Sequence, residues 1–409
     1  MKLDYKKTFI LGLGFFAISL TWPLYNYYIP LFLKTYIKSQ FWINSIMTLD
    51  NILAITLIPV FGSLSDRTNT RFGRRMPYLL IGIPISAILF ALLPQYSSFT
   101  SLMIILISFN LAMAIYRAPT VALMPDITPR PLRSKANGII NFMGGLASVL
   151  VLSVGAVLYD INKNLPFIAT AILMFLALAM LYIFIKEPKN ITVTTNEEQK
   201  IGLISSIKEI FVSKDKTALY ILLAIFFWFV GYQGVEATFS NYSVHFLKIK
   251  ESTGSIILSS FAAAFLVFAI PSGFIATKFG KKRTILVGVA GLFIVFGLLA
   301  IVRTTTSVFG MPYNVVMMLL FAIGGFFWAC ININSYPMVV ETTTEEKVGT
   351  YTGIYYFFSS LAAILGPLIF GFFVDFLGFG SMFITAAVSF AIAFIFVFMI
   401  KSDTKTNRS

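Results

Sequence analysis

Long apolar runs separated by short polar breaks dominate the chain, and their spacing is regular. A helix that crosses the hydrocarbon core of a bilayer needs ~20 consecutive, mostly apolar residues. Twelve segments meet that length: 9–33, 44–64, 77–95, 101–124, 135–158, 165–185, 218–243, 254–276, 284–302, 313–339, 350–374 and 380–400. The pattern predicts an all-α membrane protein with twelve transmembrane helices. The first run follows Lys2, Lys6 and Lys7 but is too long for the core of a cleavable signal and lacks a small-residue cleavage site, so it reads as the first span. The longest connection divides the chain into a six-helix half at 1–186, a linker at 187–217 and a second six-helix half at 218–409. Within the linker a polar stretch at 192–198 precedes an amphipathic one at 204–211, expected to lie on the membrane surface.

The two halves repeat. Adding 215 to the residue number carries Asp126 to Glu341, Gly138 to Gly353, Ile139 to Ile354, Leu146 to Leu361, Ala147 to Ala362 and Asp160 to Asp375. A repeat of this kind is the usual construction of a secondary transporter.

Composition agrees: 58% of the 409 residues are hydrophobic and 12% charged, more apolar surface than a soluble fold hides. The net charge of +14 raises nucleic acid as a partner, but position decides against it. Of the 31 Lys and Arg, 24 fall at chain ends and in loops on one face, 6 on the other and 1 inside a span. That asymmetry is the positive-inside rule, and it places both termini in the cytoplasm of a cell whose cytoplasmic (inner) membrane the protein crosses. With one cysteine, Cys330, and one histidine, His245, neither a disulfide nor a zinc site nor a Cys–His catalytic pair is expected, and the chain is not read as an enzyme.

The densest charge lies between the second and third spans, in Gly62-Ser63-Leu64-Ser65-Asp66-Arg67-Thr68-Asn69-Thr70-Arg71-Phe72-Gly73-Arg74-Arg75-Met76-Pro77. Arg67 suits the negative end of the second helix, Gly73 can supply a conformation closed to other residues, and Pro77 suits the first position of the third helix. A degenerate copy, Gly280-Lys281-Lys282-Arg283, stands in the second half. This loop resembles the one between helices two and three of major facilitator superfamily transporters. Its Ser-Asp-Arg-x-x-x-Arg-Phe-Gly-Arg-Arg-x-Pro form is similar to the sugar-transporting branch: the bacterial relatives of plant sucrose transporters and the glycoside–pentoside–hexuronide:cation symporters. A second block, Arg117-Ala118-Pro119-Thr120-Val121-Ala122-Leu123-Met124-Pro125-Asp126 followed by Arg133-Ser134-Lys135-Ala136-Asn137-Gly138, resembles the same branch. Two departures stand out: Val121 occupies the place of an arginine in the plant relatives, and Asn110 that of an aspartate. The resemblance implies the major facilitator fold, two pseudo-symmetric six-helix halves working as a monomer. It also implies gating by Asp66, Arg67, Gly73, Arg74 and Arg75, with Asp66 expected to accept hydrogen bonds from a helix N-terminus of the second half.

Three ionisable residues stand well inside spans, where each costs ~3 kcal/mol and is functional by default: Asp50, Arg117 and Glu236. Helix rise puts Asp50 ~24 Å above Asp66 and Arg117 ~13 Å above Asp126, a depth gap of ~10 Å. Arg117 reads as a substrate ligand or as a structural arginine tied to backbone carbonyls or Asp126. Asp50 reads as the proton carrier or as a partner of Asn51, with Glu236 as the second proton-coupling candidate. The resemblance implies that helices one, four, seven and ten line the cavity. They carry Trp22, Tyr25, Asn26, Asn110, Arg117, Trp228, Gln233, Glu236, Trp328, Asn332 and Asn334. Amides and charges satisfy hydroxyl groups while aromatic faces cover the C–H faces of a sugar ring. Asn26, Asn110, Arg117, Gln233, Trp328, Asn332 and Asn334 are the expected sugar ligands. The expected function is import of a sugar or glycoside, a disaccharide such as sucrose or maltose, with a coupling ion, H⁺ or Na⁺, and no cofactor or metal. A proton-coupled exporter of amphiphilic drugs or lipids on the same fold is the alternative.

Overall fold

A computed structural model of the chain describes residues 3–187, 210, 212, 216–341, 343 and 348–400. The amphipathic stretch expected at 204–211 and the rest of the linker interior lie outside these residues, Ile210 and Val212 apart. Twelve helices are long and apolar enough to cross a membrane. They are α1 (Tyr5–Lys34), α2 (Gln40–Arg67), α3 (Met76–Leu92), α4 (Phe99–Ile127), α5 (Arg133–Ile161), α6 (Leu165–Phe184), α7 (Thr217–Asn241), α8 (Glu251–Phe279), α9 (Lys281–Ile301), α10 (Tyr313–Val340), α11 (Val348–Leu377) and α12 (Ser381–Met399). Each falls on an expected apolar run. Most extend a few residues past it, since polar residues continue a helix beyond the apolar length that composition registers.

Two local features were not expected. Span α2 is two pieces, Gln40–Met47 and Leu49–Arg67, interrupted at Thr48. The loop between α9 and α10 carries a two-residue hairpin, Ser307–Val308 against Met311–Pro312.

The described chain forms two compact units, one mainly of residues before the linker and one mainly of residues after it, with two segments exchanged. Residues 39–45, first in the chain order of α2, belong with the second unit, and residues 250–259, the start of α8, belong with the first. In the first unit α1 packs on α5 and α6, α3 on α4 and α6, and α2 on α4. In the second, α7 packs on α11 and α12, and α9 on α10 and α12, the same arrangement one repeat later. Outward-facing positions are apolar and exposed, such as Ile88, Ile104, Val267 and Ile294. Burial is therefore sparse for so apolar a chain, as expected where lipid rather than protein covers one face of each helix.

Candidate functional site

In the first unit, α1, α2 and α4 assemble a polar and aromatic cluster. Tyr25 is fully buried and its ring stacks on Phe109, centroids 5.7 Å apart. Trp22 meets Tyr25 edge-on at 5.5 Å. Asn110 donates from Nδ2 to Tyr25 Oη and to the Leu106 carbonyl, both at 3.0 Å. The Arg117 guanidinium lies over the Trp22 ring, 5.3 Å from its centroid, a cation–π contact. Asp50 acts electrostatically on both Arg117 and Tyr25, and its Oδ1 accepts from Asn51 Nδ2 at 3.0 Å. Asp50 sits in the first turn of the second piece of α2, where helix-end N–H groups complement a carboxylate. Two buried polar atoms in the cluster, Trp22 Nε1 and Asn110 Oδ1, have no hydrogen-bond partner in the protein. One is a donor and the other an acceptor, and an unpaired buried polar atom is suited to a polar ligand.

In the second unit the corresponding helices, α7 and α10, make an aromatic platform with one acid. Tyr232 stacks flat on Trp328, 4.3 Å between centroids and 2° between planes, and Phe229 meets Trp328 edge-on at 5.5 Å. The Tyr232 hydroxyl hydrogen-bonds Glu236, one turn further along α7. Sequence reasoning missed Tyr232. Its signals were the i, i+4 spacing to Glu236 and the echo of Tyr25-Asn26 in Tyr232-Gln233. Gln233 and Glu236 on α7 and Asn332 on α10 are half-buried, as is Asn26 on α1 of the first unit. Asn334 is buried, and its Nδ2 donates to the Cys330 carbonyl at 3.0 Å and the Ser272 carbonyl at 3.5 Å, so it ties α10 to α8.

The arginine-rich loop is a closed ion-pair network within the first unit. Arg74 grips Asp126 through Nε at 3.0 Å and Nη2 at 2.5 Å, a bidentate pair. Arg75, 4% exposed, bonds Asp126 through Nε at 2.9 Å and pairs with Asp66 and Ser65 through its other nitrogens. Asp126 is thereby committed to these two arginines, and it is not the anchor of Arg117. Asp66 pairs with Arg75. The helix N-terminus in this network is that of α3, and Glu187 serves it. Glu187 accepts from the backbone N–H groups of Arg74 (2.8 Å), Arg75 (3.0 Å) and Met76 (2.7 Å). Gly73 adopts φ +108°, and a Cβ there would lie 2.6 Å from the Glu187 carboxyl carbon. Arg67 is exposed in the last turn of α2. In the repeat, Lys281 pairs with Glu341, the equivalents of Arg74 and Asp126. Glu187 was invisible to sequence reasoning because it lies 113 residues from its partner Arg74.

The family model for the Major Facilitator Superfamily matches residues 11–250 and 237–409. A tetracycline resistance protein of class G from Vibrio anguillarum is 25% identical over 80% of this chain and 78% of its own. An isoprimeverose transporter from Lactiplantibacillus pentosus is 22% identical over 70% of this chain and 62% of its own. Among solved structures, a mutant of the nucleoside transporter NupG matches with a TM-score of 0.77 at 14% identity, covering 97% of this chain and 100% of that one.

Proposed function

The chain belongs to the major facilitator superfamily and is a multi-pass membrane transporter, not an enzyme, and from that premise we propose that it imports a sugar or glycoside together with a cation by alternating access. The cluster of Trp22, Tyr25, Asn110, Arg117 and Asp50 carries the reading. Trp22 Nε1 and Asn110 Oδ1 supply one buried donor and one buried acceptor without protein partners. Arg117 adds further donors, and the Trp22 and Tyr25 rings add apolar faces. That mixture suits a ring bearing hydroxyl groups, whose every buried oxygen needs a partner. Asp50, beside Arg117, is the residue assigned to carry the coupling proton, and Glu236 with Tyr232 is the second acid. Similarity to the isoprimeverose transporter supports a glycoside substrate.

Export of amphiphilic drugs is the second reading, favoured by similarity to tetracycline resistance proteins and by the flat Tyr232–Trp328 stack. The two readings separate in reconstituted vesicles. Import predicts that labelled disaccharide enters faster when a proton gradient points inward and that Arg117→Ala abolishes entry. Uptake of tetracycline coupled to outward proton movement, with no sugar entry, would favour export.

A further inference from the structure

The two exchanged segments are held in different ways, and one of them is held by an acid outside the site described above. Asp375, at the end of α11, accepts from Ser39 Oγ at 2.5 Å, the Gln40 N–H at 2.6 Å and the Phe41 N–H at 3.0 Å. These are leading groups of the first piece of α2, donors that the helix itself cannot satisfy. An anion at that end also complements the helix dipole. Ser39 Oγ in turn accepts from the Trp42 N–H at 3.3 Å. Beneath this cap lies a buried amide ladder. Gln40 Nε2 donates to Asn44 Oδ1 at 2.8 Å, and Asn44 Nδ2 donates to the Pro367 carbonyl at 2.7 Å and Thr238 Oγ1 at 3.1 Å. Asn241 Nδ2 donates to Gln40 Oε1 at 3.1 Å. Gln40, Asn44, Thr238 and Asn241 all have zero solvent exposure. Backbone approach is close as well: a Cβ on Gly371 would lie 2.5 Å from the Phe41 Cα, so no side chain fits there.

Two further observations set the boundary of this assembly. The compact units divide between Ser45 and Ile46, and the helix breaks at Thr48. The first piece of α2 is therefore fastened to α7 and α11, while the second piece packs on α4. At the start of α8, Tyr27 Oη donates to the Glu251 carbonyl and Ser255 Oγ to the Leu152 carbonyl. Asp160, the repeat partner of Asp375, has no corresponding serine and backbone N–H cap among the hydrogen bonds of the described residues.

The geometry points to Asp375 as a latch at the end of α2 remote from the arginine-rich loop. It holds residues 39–45 on the second unit, and its release, with bending at Thr48, is a step of the transport cycle. The inference rests on alternating access, and not on which solute is carried. Breaking one charge-assisted cap should leave the fold intact, because the buried ladder and the remaining helices are untouched.

The test uses the full-length protein in detergent and in proteoliposomes and needs no substrate, so it stands whether or not sugar is transported. Hydrogen exchange of residues 39–47 and maleimide labelling of Ser240→Cys, in a Cys330→Ala background, are measured for the parent, Asp375→Asn, Asp375→Glu and Gly371→Ala. Ser240 is fully buried between Thr238 and Asn241 of the ladder. Asp375→Asn is expected to speed exchange in that segment about tenfold, the scale of one charge-assisted hydrogen bond, and to raise labelling. Asp375→Glu should restore part of the protection, and Gly371→Ala should open the segment by a separate route. Unchanged exchange in Asp375→Asn overturns the latch, and faster exchange in Gly371→Ala shows that the assay reports opening of the segment. Faster exchange without increased labelling also overturns it, since Asp375 would then be only a local helix cap.

Discussion

Arg117 and Asp50 are the residues on which the transport reading turns, and they make different predictions. Removing Arg117 deletes a charged donor set and the stack on Trp22, so Arg117→Ala should weaken sugar binding about 10- to 100-fold. Arg117→Lys keeps the charge but loses the planar stack and should recover only part of the affinity. Equilibrium binding of labelled sugar to purified protein measures both. Asp50→Asn mimics the protonated acid. It should bind sugar and exchange it across the membrane, yet fail to accumulate it against a gradient, because the ion can no longer couple to the solute. If Asp50→Asn still concentrates sugar under a proton gradient, Glu236 becomes the coupling site and the same assay on Glu236→Gln decides it. Both acids and Arg117 were legible in the sequence, since charge inside an apolar run announces itself. Tyr232 and the unpartnered atoms of Trp22 and Asn110 were not, because a tyrosine in a membrane helix is usually an interfacial anchor and pairing is a property of neighbours.

Helices and loops carry a second group of predictions, centred on the arginine-rich loop. Arg75 is 4% exposed and bridges Asp126, Asp66 and Ser65, whereas Arg67 is exposed. Arg75→Ala leaves Asp126, 11% exposed on its side chain, without one of its two cations, and the loss from breaking a buried pair is about 3–5 kcal/mol at most. Its thermal midpoint in detergent should therefore fall clearly below the parent's, while Arg67→Ala stays near it. Gly73→Ala should destabilise by about 1–3 kcal/mol, the scale of a non-glycine residue held at such a φ, and more if Glu187 is displaced from the α3 N-terminus. The loop itself was legible from its glycines, proline and arginines. Its partner Glu187 was not, and neither was the break in α2, because the apolar run continues through Met47-Thr48-Leu49 without a proline or glycine to mark it. Tertiary contacts at each end of α2, rather than local propensity, decide that break.

At the scale of the whole molecule, the twelve spans and the repeat were legible because bilayer thickness and internal duplication write themselves into the chain. The exchange of residues 39–45 and 250–259 between units was not, since nothing in an apolar run tells which neighbour it will join. Charge predicts an orientation with the arginine-rich loop in the cytoplasm. A single cysteine at Asn69, in a Cys330→Ala background, should resist impermeant thiol reagents in intact cells, and labelling from outside would invert the topology. The claim that the transporter imports sugar with a cation is tested most directly by purified protein in proteoliposomes loaded with no solute, given labelled disaccharide outside and an imposed inward proton gradient, with a parallel sodium gradient. One proton per sugar predicts accumulation of roughly tenfold for each pH unit of gradient, abolished by a protonophore and by Asp50→Asn. Equilibration without accumulation under either gradient, or no sugar entry at all alongside proton-driven movement of tetracycline, would contradict the account.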